Sequence, residues 1–215
     1  MAINNIIKYL RLGVKYLSTA AINLYDVVAI LNNIGYSSVV KLPPPRFRRG
    51  LGGEGPIAVK GEVIVDVNTE RHILGVSARE PELLISEFNI IEETLSNRLR
   101  GYKEPQFYEL LSEVETSVEG VDFYSLIEEK LDLSPLPAIS KCLGIDACLI
   151  GFRVGKKGAR PEDDEWLELE VTPSFLKSNG ILYMSLIYRS KNKDKVLNIT
   201  KRVSELSSFI AKSLL

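Results

Sequence analysis

The chain has 215 residues, 45% hydrophobic and 26% charged, with a formal net charge of −1. A chain of this length buries about 70% of its unfolded surface, so a sizeable core is expected and wholesale disorder is excluded. The near-zero net charge excludes a molecule-wide field that would draw in nucleic acid or an anionic membrane, so any basic binding surface has to be local.

From Lys8 to Leu17 apolar and polar residues alternate. Leu10, Leu12, Val14 and Tyr16 fall on one face, with Tyr9, Arg11, Gly13 and Lys15 on the other, which is the period of a half-buried strand. Lys8, Arg11 and Lys15 also interrupt the apolar N-terminal stretch every few residues. No segment there reaches the roughly 18 residues that span a bilayer, and no cleavable leader is expected. Asn23 predicts a helix cap ahead of Leu24, Val27, Val28 and Leu31, and Gly35 ends that helix. A short strand over 38–42 precedes Pro43-Pro44-Pro45-Arg46-Phe47-Arg48-Arg49-Gly50, a loop rich in proline and arginine. Residues 57–67 read as a strand, 68–72 as a turn and 73–78 as the paired strand. Pro81 then opens a helix whose stripe is Leu84, Phe88, Ile91 and Leu95.

The same order recurs. Residues 107–118 alternate, with Glu109, Glu113 and Glu119 on the polar side. Asp122 predicts a second cap, before Phe123, Leu126 and Ile127. A short helix ending at Gly144 follows Ser134-Pro135, and residues 148–154 read as a strand. Gly155-Lys156-Lys157-Gly158-Ala159-Arg160-Pro161 is a second basic loop, leading into the acidic run Glu162 to Glu165. Strands over 166–171 and 182–188 flank the turn signal Ser178-Asn179-Gly180. A single last helix is expected to carry Val196, Ile199, Val203, Leu206 and Ile210 on one face.

Both halves, 1–104 and 105–215, therefore read strand, helix, strand, basic loop, strand, strand, helix. The predicted fold is α+β: an internally duplicated unit whose antiparallel sheet is covered by helices on one face, in one compact pseudo-twofold molecule. Asn23-Leu24-Tyr25-Asp26-Val27-Val28 set against Asp122-Phe123-Tyr124-Ser125-Leu126-Ile127 is the closest local match. This layout resembles the TATA-binding-protein-like fold, in which a duplicated strand-helix-strands-helix unit forms a curved sheet. The resemblance spans most of the chain and is one of topology; none of that family's motifs occurs, and its phenylalanine wedges map to no position. What it implies is nucleic-acid contact, as an analogy of fold.

The chemistry available is narrow. Arg46, Phe47, Arg48 and Arg49 in the first loop, with Lys156, Lys157 and Arg160 in the second, suit phosphate oxygens, and a ring between arginines suits base stacking. The plain alternative is a pair of solvated loops, the second neutralised by Glu162 to Glu165. That acidic run lacks the spaced pattern of a calcium loop, so no metal is expected there. His72 is the sole histidine, which removes histidine-rich metal sites and leaves any serine triad without a nucleophile elbow. No phosphate-binding or dinucleotide glycine fingerprint occurs. Glu109, Glu113 and Glu115 on one strand, and Glu168 and Glu170 on another, form solvent faces or, alternatively, a carboxylate acid/base pair. Cys142 and Cys148 are expected as core thiols in a reducing, cytoplasmic setting. The single glutamine, Gln106, and abundant Glu, Lys and Ile lean towards a thermophilic source. These residues favour a non-enzymatic binding module with no cofactor, contacting nucleic acid or a phosphate-bearing ligand. The alternatives are a protein-interaction subunit, homodimeric in one version, and a carboxylate-based enzyme.

Overall fold

The computed structural model describes residues 2–17, 23–40, 54–99, 102–131, 136–174 and 180–215. They form a mixed α+β molecule around one antiparallel sheet. The strands are β1 (Ile3–Tyr16), β2 (Ser37–Ser38), β3 (Glu54–Lys60), β4 (Val63–Asn68), β5 (Ile73–Ser77), β6 (Pro105–Val118), β7 (Phe152–Gly155), β8 (Trp166–Pro173) and β9 (Ile181–Ser190). The helices are α1 (Leu24–Asn33), α2 (Pro81–Arg98), α3 (Phe123–Lys130), α4 (Leu136–Leu143), α5 (Lys193–Lys201) and α6 (Val203–Leu214). Across the sheet the order is β2-β3-β4-β5-β1-β6-β9-β8-β7. Reading outward from the β1–β6 pair, one side runs β5, β4, β3, β2 and the other β9, β8, β7.

Local chemistry sets the helix starts as expected. The side chains of Asn23 and Asp122 accept from the backbone N–H groups of Tyr25 and Tyr124, satisfying donors that the first helical turn leaves open. Pro81 occupies the start of α2, where its missing N–H costs nothing. Gly35 closes the end of α1 at φ +90, a conformation that a Cβ disfavours.

The period of two along β1 and β6 sends Leu10, Leu12 and Val14, and Leu110, Val114 and Val118, into one core with Leu84 and Phe88 of α2, Val196 of α5 and Val203 of α6. Each such side chain contributes roughly 1.5–3 kcal/mol on burial. Helices α1, α2, α5 and α6 all rest on this side of the sheet, and α3 packs against α6. The opposite face carries the polar set of the long strands and has no helix packed on it among the described residues, with Ile6, Tyr9 and Ile64 exposed there.

Four expectations change. The run over 57–67 is two strands, β3 and β4, joined at Gly61, whose φ of +58 makes a tight turn inside a continuous apolar pattern. The last helix breaks into α5 and α6 at Arg202, with φ −105 and ψ 10; the break re-aims the second piece so that Val203, Ser207, Ala211 and Leu214 are its buried residues. The strand expected over 148–154 is confined to Phe152–Gly155. Cys142 and Cys148 are free and exposed rather than core thiols: Cys142 sits on α4, which buries none of its side chains, and Cys148 in the irregular stretch after it. No helix among the described residues is long and apolar enough to cross a membrane.

Candidate functional site

The uncovered face is built on charges that reach across strands. Arg11 on β1 lies over β5 to meet Asp66 on β4, its Nε and Nη2 donating to the two carboxylate oxygens at 2.9 and 2.6 Å. A methyl group on Gly75 would stand 2.1 Å from Nη2 and 2.3 Å from both Cζ and Nε. These distances put that point out of the guanidinium plane and just beyond its Nε–Nη2 edge. Arg11 therefore lies across the glycine, in the space a side chain would take, and is only 9% exposed. Burial works against its charge, but the bond to Asp66 and the negative carboxylate more than offset that and hold its pKa above the ordinary value.

Glu109, on the neighbouring β6, is 8% exposed and accepts from Nε of Arg189 on β9 at 3.0 Å. Arg189 also donates to the backbone oxygens of Pro161 and Asp163, at 2.7 and 3.0 Å. Two cross-strand ion pairs thus span this face, Arg11–Asp66 between β1 and β4 and Arg189–Glu109 between β9 and β6, and Arg189 extends the second to the loop after β7. Glu109 is a buried strut, not part of a solvent face, and its partner is a guanidinium with no acidic proton to exchange. Glu115 pairs with Lys8 at 3.0 Å, and Glu168 and Glu170 share Arg153 at 3.1 and 2.6 Å. Burial, then contact with Glu113, pushes the Tyr183 hydroxyl up to about 12.

Strand directions bring the β7–β8 loop, the β4–β5 turn and the start of β3 to one end of the sheet. Glu54, Asn68, Ile73, Lys15 and Phe107 form one transverse row across β3, β4, β5, β1 and β6. Two residues further in, Glu109 lies opposite Arg189 and Arg189 opposite Trp166, and beyond them the Lys156 N–H donates to the Leu167 carbonyl. The loop bearing Lys156, Lys157 and Arg160 leaves from this end. Arg46, Phe47, Arg48 and Arg49 lie outside the described residues, but Val40 and Glu54, which bracket their segment, sit at the same end: β2 stops there, with the Val39 N–H on Ile57, and β3 starts there. The two segments do not hold equivalent positions in the sheet. By strand order the β7–β8 loop corresponds to the β3–β4 turn, not to the β2–β3 segment. From β3 to β7 is seven strand spacings, about 34 Å along the sheet.

Between them the same end presents Lys15 and Arg189 against the ring of Phe107, at 5.5 and 4.3 Å from its centre, and Arg71 in the β4–β5 turn. His72, in that turn at φ +56, has a buried Nδ1 with no hydrogen-bond partner among the described residues. The acidic run is tied down locally. Asp163 accepts from the Arg160 N–H at 2.8 Å, Asp164 pairs with Lys191 at 3.1 Å, and Glu165 accepts from Ser190 and the Lys191 N–H at 2.8 and 2.9 Å. Glu165 reaches Lys156 only at 4.0 Å. Among the described residues the side chains of Lys157, Arg160 and Arg71 form no ion pair. Sequence reasoning missed Arg71, Lys15 and the Arg11–Asp66–Gly75 assembly, none of which stands in a motif.

No protein-family model and no curated protein matches the chain. Among solved structures it is similar to the regulatory subunit of aspartate kinase from Thermus flavus, at 11% identity and a TM-score of 0.27, over 94% of this chain and 96% of that one. The ligand-free regulatory subunit from Thermus thermophilus gives 10% identity and a TM-score of 0.25, over 94% and 97%. Likeness at this level assigns no function.

Proposed function

We propose that this chain is a non-enzymatic binding module for an extended polyanion, a nucleic-acid strand, held at one end of the sheet by Arg46, Phe47, Arg48 and Arg49 on one side and Lys156, Lys157 and Arg160 on the other. What supports the reading is the end of the sheet at which β3 begins at Glu54, the loop bearing Lys156, Lys157 and Arg160 leaves, and Lys15 and Arg71 lie between, with β3 and β7 about 34 Å apart along the sheet. A single phosphate group cannot touch both. A strand with one phosphate about every 3.4 Å reaches across with about ten nucleotides. On the rest of this face Lys8, Arg11, Arg153 and Arg189 are paired with carboxylates. The two halves, 1–104 and 105–215, are read as copies of one unit, supported by the matching outward strand order. Two free cysteines fit a reducing compartment such as the cytoplasm.

The test is fluorescence anisotropy with single-stranded DNA, double-stranded DNA and RNA of 6, 12 and 18 nucleotides, at roughly 50 and 200 mM salt. Expected is binding that strengthens sharply between the 6-mer and the 12-mer and weakens at high salt. Arg46→Ala with Arg48→Ala and Arg49→Ala, and separately Lys157→Ala with Arg160→Ala, each weaken it while the melting temperature stays nearly fixed. Unchanged affinity in both variants overturns the proposal.

A further inference from the structure

Beside the basic end, the uncovered face sinks into a hollow of about 520 Å³, within the size range of small-ligand sites. The Arg11 guanidinium, which lies across Gly75, is part of its lining. Tyr9, Ile64, Ile73 and Leu111 supply apolar surface, Asn68, Ser77 and Arg71 polar groups, and Asp66 and Glu109 are carboxylates bound to Arg11 and Arg189, with Glu54 a third. A planar cation beside apolar side chains is a platform for another flat ring: guanidinium stacks on aromatic faces, whereas an ammonium presents no plane. Asp66 occupies the Nε–Nη2 edge of the plane, which leaves the outward face and the Nη1 edge to a ligand. Asn68 and Ser77 supply a donor and acceptors at the periphery, and Arg71, without an ion pair among the described residues, supplies a charge for an anionic substituent.

We infer that this hollow is a base pocket: a nucleotide seats its heterocycle flat on Arg11, between Tyr9 and Leu111, and turns its phosphate to Arg71. The inference deepens the polyanion reading, since Arg71 lies on the same transverse end as the basic loops. Both a free nucleotide and one splayed-out residue of a strand carry this chemistry.

Nitrogen-15 correlation spectra that include the arginine Nε–Hε region test it directly. The Arg11 Hε is held on Asp66 at 2.9 Å, which slows its exchange and keeps it visible. Adenosine, the nucleoside 5′-monophosphates, inorganic phosphate and a 12-mer are titrated in turn. Expected are ring-current shifts at Arg11 Nε–Hε and the Gly75 amide with adenosine, larger with the monophosphate, and none there with inorganic phosphate. Ser77→Trp, which fills the hollow from β5, weakens the monophosphate about tenfold or more while the rest of the spectrum holds; Lys157→Ala with Arg160→Ala leaves these shifts unchanged. Arg11→Lys, which keeps the charge and loses the plane, removes the shift at the Gly75 amide. Shifts confined to 156–160 with Arg11 silent overturn the pocket and leave the polyanion reading standing. Arg11 shifts with monophosphates, but no length- or salt-dependent oligonucleotide binding, keep the pocket for a free nucleotide and overturn the polyanion reading. Silence everywhere overturns both.

Discussion

Gly75 is required for space and not for backbone freedom, because its φ lies outside the left-handed region where glycine is favoured. A side chain there meets the Arg11 guanidinium at 2.1 Å, and the guanidinium cannot retreat without leaving Asp66. Overpacking costs about 1–3 kcal/mol and separating a buried pair about 3–5. Gly75→Ala is accordingly expected to cost about 3 kcal/mol, lowering the melting temperature by about 6–12 °C in a chain of this size, as read by calorimetry. In an Arg11→Ala background the same change costs far less, and a double-mutant cycle exposes that coupling. Alternation placed Arg11 on the polar face of β1, but it cannot report that its partner sits two strands away, nor that the strand between offers a glycine.

Contacts between elements hang on a few bonded carboxylates, and Glu87 of α2 is one of them. It accepts from Tyr36, just after α1, and from Lys60 at the end of β3, both at 2.8 Å. Burial opposes its ionisation, yet these two bonds and the ammonium charge together outweigh burial and hold its pKa below the ordinary carboxylate value. A carboxylate depressed on folding adds stability that is fully present above its unfolded pKa and fades as pH falls through the folded one. Glu87→Gln should therefore cost about 1–3 kcal/mol near pH 7, and the gap between the two proteins should close as urea unfolding is repeated at successively lower pH below about 4. A gap independent of pH removes Glu87 as the cause. The helix starts at Asn23, Pro81 and Asp122 were legible because capping is settled within four residues. The β3–β4 turn was not, since Gly61 sits in an apolar alternation that runs on past it. The break at Arg202 was hidden in the same way, by a helical period that continues through both pieces. Exposure of Cys142 and Cys148 depends on what α4 packs against, and no local pattern encodes that.

At the scale of the molecule, β1 and β6 make the two halves interdependent. They pair from Ile3 opposite Val118 to Tyr16 opposite Pro105, so a fragment of residues 1–104 presents the whole length of β1 as an open edge. Such an edge recruits another strand. Sedimentation of the fragment is expected to show dimers or larger species, and a folded monomer at micromolar concentration contradicts the shared-sheet account. The basic segments were visible in the sequence as composition. That β2 stops and β3 starts at the same end of the sheet as the β7–β8 loop was not, because it follows from strand order and direction.

The sheet terminates in stubs, β2 with two residues and β7 with four. A growing fibril needs a long ladder of unsatisfied N–H and C=O groups on which the next chain can lie down. Here the long strands are sealed inside and the outermost ones offer too few rungs, so the intact protein resists templated polymerisation even though its interior is rich in strand-forming sequence. That resistance is lost once proteolysis frees β1.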